Sequence, residues 1–332
     1  MPATVTLHRP IARRSIGVLI LAAATFAAIP LGGARAEYPD RAVTIVSCFP
    51  AGGGTDIAVR MINTQLGDAL GKPVIVENRA GAGGSLGTSV VARAPADGYT
   101  LLGCSSAFVV NPSLYANVTY DPFKDFAPIM VLGASPNLFV VPAQSKIKTM
   151  DDFIAAAKAT PGKLNWTSPG AGTTPQLAGE LLKAAAGLDI VHIPYNGAGP
   201  AMTAVMGGQV DMYAGNLGSI GALLGSTRPL AVTSDKRWPD LPDVPTLAEL
   251  GIKSPTTDTF QAILAPAGTP APIIDRLAKE LAAILARPDI QEKYAKIGLP
   301  VVAEVPDAFR ARIAREVPMY KAVIDKAGLK IQ

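Results

Sequence analysis

Histidine and cysteine are the scarcest chemistry-bearing residues of this 332-residue chain, with two of each. His8 lies in the N-terminal segment treated below, which leaves His192 as the one imidazole after it. With no cluster of His and Cys at ligand spacing, zinc and histidine-rich metal sites have nothing to be built from. Neither a metal nor any other cofactor is expected. Charged residues are sparse at 17% and aromatics at 6%. Beyond the first 36 residues no apolar run is long enough to cross a bilayer, so a soluble chain is expected.

Residues 1–36 contain no Asp or Glu and place Arg9, Arg13 and Arg14 ahead of an apolar run from Ile16 to Ile29. That run is short for a membrane span, and Ala34-Arg35-Ala36 supplies small residues at the −3 and −1 positions of a cleavage site. The pattern predicts a signal peptide cleaved after Ala36. It removes four of the 30 basic residues and none of the 26 acidic ones, so the formal charge falls from +4 to 26 against 26, or zero. A nucleic-acid or anionic-membrane role then has no support from composition. Attraction for an anion has to come from local dipoles.

The remaining 296 residues are enough for one large or two ordinary α/β domains. Short β-branched runs predict strands at 43–46, 74–77, 100–102, 138–141, 165–168, 190–193, 212–214, 230–233 and 262–265. Helical spacing of apolar residues predicts helices at 56–70, 86–92, 150–159, 175–186, 200–206, 246–250, 272–285 and 307–327. The alternation implies an α/β fold of mainly parallel sheets flanked by helices.

The most informative stretch is Phe49-Pro50-Ala51-Gly52-Gly53-Gly54-Thr55-Asp56, between a strand and an amphipathic helix. Consecutive glycines let the backbone approach a ligand, Thr55 or Asp56 can cap the helix, and free amides at a helix start attract an anion. The same opening returns as a strand at 164–168, Pro169-Gly170-Ala171-Gly172-Thr173-Thr174, and a helix. Two such loops facing across a cleft suit a carboxylate ligand. Cys48 and Cys104 each follow a predicted strand and are candidates for a disulfide, or for two small buried thiols.

Other motifs are weaker. Gly83-Gly84-Ser85-Leu86-Gly87 matches the GxSxG nucleophile elbow, which keeps a serine hydrolase using Ser85 as an alternative. Against it stand the long loop 78–84, the lack of an HGGG-type segment, and the placing of His192 in an apolar run. Gly81 to Leu86 breaks GxGxxG at its last glycine, and Gly67 to Lys72 is one residue short of a P-loop.

Beyond residue 36 the chain resembles the Bug-type extracytoplasmic receptors of tripartite tricarboxylate transporters. The resemblance is carried by Tyr38-Pro39-Asp40-Arg41, the 49–56 loop, Val76-Glu77-Asn78-Arg79, Gly81-Ala82-Gly83-Gly84, His192-Ile193-Pro194-Tyr195-Asn196-Gly197 and Gly208-Gln209-Val210-Asp211, in family order. It implies a periplasmic binding protein, monomeric and not an enzyme, with domain 1 at 37–138 and 261–332, domain 2 at 139–260, and two crossover strands. It implies a small organic carboxylate held between the domains and passed to integral membrane subunits, a sensor for a signalling partner being the other use of the same site. Its grip would be Phe49, Ala51, Gly52, Gly53, Thr55 and Asp56, with Gly170, Thr173 and Thr174 opposite. Asn78, Ser105 and Ser106 would line the cleft, and Tyr195, Asn196, Gly197 and Ala198 would meet the ligand's far end, with Asn216 or Asp258 beside them. The chain departs from the family in Pro175-Gln176, where histidine is common, and in Asn196, where lysine is.

Overall fold

The computed structural model describes residues 38–330 except Asn196, Pro255 and Thr256. The predicted signal peptide, its cleavage point and Asn196 therefore lie outside the described residues. The elements begin with β1 Val43–Ser47, α1 Gly54–Arg60, α2 Asn63–Leu70, β2 Val74–Asn78, α3 Ser85–Ala92, β3 Thr100–Ser105, α4 Ala107–Leu114 and β4 Phe126–Pro142. There follow α5 Met150–Ala159, β5 Asn165–Ser168, α6 Thr174–Ala186, β6 Val191–Pro194, α7 Ala198–Met206, β7 Met212–Asn216, α8 Leu217–Ile220 and β8 Thr227–Val232. The chain closes with β9 Asp258–Pro266, α9 Ala271–Leu285, α10 Pro288–Lys296, β10 Val301–Glu304 and α11 Pro306–Ala327.

One strand, β4, belongs to two sheets. Its first part, to Pro136, lies between β9 and β10, and its second part, from Asn137, between β7 and β8. The first sheet runs outward from β9 through β3 and β1 to β2, and the second from β7 through β5 to β6. The outer strands pair in parallel, as the alternation of strand and helix requires. Every pairing of β4 is antiparallel, as is that of β3 with β9, so the centre of the fold departs from the parallel expectation.

Alternation along the strands gives each sheet two buried faces. Ile45 and Ile263 face α1, α2 and α9, while Val46, Leu102 and Leu264 face α4 and α11. In the second sheet Phe139 and Val141 point to α5 and α6, and Leu138 and Val140 to α7. Close packing is tightest where Trp166 lies over α6: a Cβ at Gly179 would stand 2.1 Å from its ring. Thr149 closes a capping box with Asp152 and starts α5 where the apolar spacing predicts it.

Three predicted elements are corrected. The helix expected over 56–70 is two helices, because Ile62 (φ −121°) leaves helical geometry and Asn63 Nδ2 donates to Val74 O. The helix expected at 246–250 is a single turn, closed by Thr246–Glu249 bonds and ended by Gly251 in left-handed backbone. The strand expected at 138–141 is a 17-residue strand. Pro128, Gly133 and Pro136 hide its first part, and two of them sit at register shifts, where a missing N–H or side chain is tolerated.

A buried charge cluster pins α11 to the start of β9. Arg312 Nη1 donates to Asp258 Oδ1 (3.0 Å) and Glu316 Oε1 (2.6 Å), and its Nε donates to Glu304 Oε2 (2.8 Å). Glu316 Oε2 and the Tyr320 hydroxyl have no partner among the described residues. Burial pushes the Glu316 carboxyl up to about 7, against the opposing pull of Arg312, and raises Asp258 too. A carboxyl whose pKa is raised on folding contributes stability below its unfolded value, and that contribution is lost as the pH rises through its folded value. Glu316→Gln removes this loss while keeping an acceptor for Arg312. The melting temperature of the variant relative to the parent should therefore climb between pH 5 and 8, by a few degrees at most for a chain of this size. A difference independent of pH would show that Glu316 is ionised throughout.

Candidate functional site

The first glycine loop joins β1 to α1. Gly52 takes φ +77°, a left-handed turn that favours glycine, and a Cβ there would meet nothing within 4 Å. Helix α1 is capped by Gly53 with no side-chain bond, which corrects the expected cap at Thr55 or Asp56: both lie inside the first turn. Their side chains are used elsewhere. Asp56, almost fully buried, accepts from Gly52 N (2.9 Å), Arg60 Nε (2.9 Å) and Asn78 Nδ2 (2.8 Å). Burial opposes its ionisation, but the bonds from Arg60, Gly52 and Asn78 outweigh that and hold the carboxyl below its ordinary value. Asn78 also donates to Phe49 O (3.0 Å), and its own oxygen accepts from Arg60. Asp56 and Asn78 thus brace the loop and have few bonds left to give a ligand.

The second loop repeats the geometry. Gly172 has φ +81°, and its N–H donates to Gln176 Oε1 (2.8 Å), as Gly52 does to Asp56 at the same spacing of four. Thr173 caps α6, accepting from Gln176 N (3.4 Å) and donating to Gly170 O (2.8 Å). A Cβ at Gly170 would stand 2.9 Å from Tyr195 O, and Gly197 N donates to Pro169 O (2.7 Å), so Tyr195 and Gly197 lie against this loop. Gly197 also caps α7, which begins at Ala198.

The two loops meet on one strand. Thr55 Oγ1 donates to Gln261 Oε1 (2.6 Å), and Thr174 Oγ1 shares a 2.6 Å bond with Thr259 Oγ1. Thr259 and Gln261 are two apart on β9 and point to the same side. Ser106 adds a 3.5 Å bond to Thr174, and Ser105 Oγ accepts from Ala107 N at the start of α4. Gln261 Nε2 donates to no group among the described residues and stands 3.6 Å from where a Cβ on Gly54 would be. Ala51 and Gly52 are exposed, and Phe49 is half-buried beside Gly84.

Arg60, Thr259 and Gln261 escaped the sequence reading. Their signals are Arg60 four residues after Asp56, and two polar residues alternating with apolar ones in a buried strand.

The rival chemistry is not assembled. Ser85 Oγ accepts from Asn111 Nδ2 (3.0 Å) at the start of α3, while His192 Nε2 bonds Ser168 Oγ (2.9 Å) and its ring lies 4.3 Å from Trp166. Burial, with Lys183 nearby, lowers the imidazole pKa to about 4. No group of His, Cys, Asp and Glu able to hold a metal occurs among the described residues, and no described helix is long and apolar enough to cross a membrane.

Comparison with known proteins follows the same line. The pattern of the tripartite tricarboxylate transporter family receptor matches residues 58–329. Protein BugT of Bordetella pertussis is 36% identical over 299 residues, covering 89% of this chain and 92% of its own. Among solved structures, R. palustris Rpa4515 with adipate superposes with a TM-score of 0.79 at 33% identity, covering 89% of this chain and all of that one. MatC from Rhodopseudomonas palustris with bound malate gives 0.75 at 29% identity, covering 86% and 100%.

Cys48 and Cys104, the residues just before the first loop and in β3, are free buried thiols here. Burial pushes Cys48 up to about 12 and raises Cys104 well above its ordinary value. A thiol reagent at pH 8 should label neither in the folded protein and both in denaturant without reductant. No labelling in denaturant would mean that the pair is bonded.

Proposed function

This chain belongs to the tripartite tricarboxylate transporter receptor family, and from that premise we propose that it captures a small organic carboxylate between its two glycine loops and delivers it to integral membrane subunits. It is a periplasmic solute-binding protein of two-domain α/β architecture by family. The domain limits proposed are 37–138 with 261–332, and 139–260, after export and cleavage behind Ala36. The observation that carries the reading is the meeting of both loops on β9, through Thr55–Gln261 and Thr174–Thr259.

A carboxylate taken out of water costs far more than a neutral group unless its oxygens are met by donors. The donors on offer are neutral: the Gln261 amide, the main chain of Gly54, and the start of α6 at Thr173 and Thr174. The positive end of that 13-residue helix favours an anion. The charged pair beside them, Asp56 and Arg60, cancels itself at 2.9 Å. Selectivity for an acid thus comes from oriented dipoles, as a chain of zero net charge requires. Tyr195, Gly197, Ala198 and Asn196 complete the far wall in this reading. No catalytic step is needed, and the separate partners of Ser85 and His192 favour binding over hydrolysis.

A panel of mono-, di-, tri- and aromatic carboxylates, each with its amide as control, tests the reading by melting temperature and calorimetry. At least one acid should stabilise the protein, by about 2.7 kcal/mol at a hundredfold excess over its Kd, and its amide should not. If no acid shifts the melting temperature, the proposal fails. Gln261→Leu should weaken the best acid by roughly 1–3 kcal/mol, the cost of a lost donor to a charged group. Gly53→Val, whose Cβ would sit 3.1 Å from Pro50 O, should abolish binding while leaving the circular dichroism unchanged. Full affinity in both variants would remove the first loop from the site.

A further inference from the structure

Helices α6 and α11 do not close fully on each other. Between their C-terminal halves runs an open groove of about 600 Å³, floored by Leu181, Leu188, Met319 and Val323. Lys183, Lys253 and Lys326 stand around it. The one carboxylate in its lining, Glu180, is largely buried, so three cations face a single acid. Lys183 lies 3.9 Å from Glu180, and no carboxylate among the described residues pairs with Lys253 or Lys326.

Two of these lysines have a simple explanation. Lys183 and Lys326 occupy the last turns of their helices, where a cation is favoured by the dipole. Lys253 has none: it comes from the segment before β9, belongs to neither helix, and still converges on the same groove. A groove between two helices takes a third helix by packing its apolar ridge against the floor. The exposed alanines Ala184, Ala185 and Ala322 along the walls leave room for that approach. The rim then asks for acidic residues on the incoming segment.

The walls also belong to different parts of the fold. Helix α11 packs on the first sheet through Phe309, Ile313 and Ile324. Helix α6 covers the second through Ala178 and Leu182. The other end of α6 carries Thr173 and Thr174, with Thr174 six residues, or about 9 Å at 1.5 Å per residue, before Glu180 at the near edge of the groove. A partner seated in the groove therefore touches the same rigid element that holds one side of the ligand loop pair.

We propose that the groove between α6 and α11 is the docking surface for an acidic, amphipathic segment of the membrane partner. The proposal rests on the transport reading above. Its test uses fluorescein-labelled synthetic peptides covering the loops of the integral membrane subunits that face the periplasm. They are titrated by anisotropy against the mature protein and two variants. Lys253→Glu with Lys326→Glu reverses the rim charge, and Ala184→Trp fills the groove from an exposed position. An acidic loop peptide should bind the parent and weaken by about tenfold or more in each variant. Carboxylate affinity, measured by calorimetry on the same samples, should stay within about twofold, since no variant touches the loops. If no loop peptide binds a protein that binds its carboxylate, or if binding ignores both variants, the docking surface is wrong. A fluorescent dodecanoate that binds with the same sensitivity while no peptide does would also overturn it, in favour of a small amphiphile. Peptide binding without binding of any carboxylate would keep the docking surface and remove the carboxylate reading.

Discussion

Two hydrogen bonds on one side of β9 hold the site together. Thr55 reaches Gln261 from the first loop, and Thr174 reaches Thr259 from the second, each at 2.6 Å. Neither loop bonds the other among the described residues, so their relative placement depends on a strand to which both are tied. From Phe260 onward the rest of that strand is apolar and buried, with Phe260, Ala262, Ile263 and Leu264 filling the cores on its two faces. Two polar residues buried in it would destabilise the fold if left alone. The loops bond Thr259 and the side-chain oxygen of Gln261, so the geometry of the site and the stability of the sheet are coupled.

The loops are alike in shape and unlike in electrostatics. Each turns at a left-handed glycine whose N–H is accepted by a side chain four residues on. In the first loop the acceptor is the carboxylate of Asp56, and in the second the amide of Gln176. A buried carboxylate beside an anionic ligand would repel it, and Arg60 with Asn78 answers that charge locally. The second loop needs no such answer, because Gln176 is neutral and α6 supplies a dipole of its own. A chain with equal numbers of acids and bases beyond residue 36 can in this way prefer anions at one place.

How much of this could be read from sequence depended on whether a residue's role was local. The glycine loops, the strands feeding them and the long helices showed as runs and periodicities, and they lie within a few residues of where the spacing puts them. Strand β4 was seen only at its second end, because Pro128, Gly133 and Pro136 mimic turn signals, although the structure uses them at bulges and at the passage between sheets. Helix α4 was hidden by Asn111-Pro112. Asp56 looked like a cap and is a brace, held by Gly52 and Arg60 four residues to either side and by Asn78, 22 residues away. Gln261 acts on Thr55 across 206 residues, and no local pattern carries that distance.

The buried charges around Arg312 bear on the same strand. Breaking even with an apolar core is the usual best that such a cluster achieves, so its retention calls for a geometric rather than an energetic reason. Asp258, held at 3.0 and 3.1 Å by one guanidinium nitrogen, is the residue immediately before Thr259. Fixing its side chain fixes where β9 begins, and with it the side on which Thr259 and Gln261 emerge, since a slip of one residue would turn both away from the loops. Glu304 ties the end of β10 to the same guanidinium, and β10 pairs with β4 just ahead of its passage into the second sheet. An apolar cluster would fill this space but would leave the register to be set by packing alone. Directional bonds to one arginine set it from two strands at once.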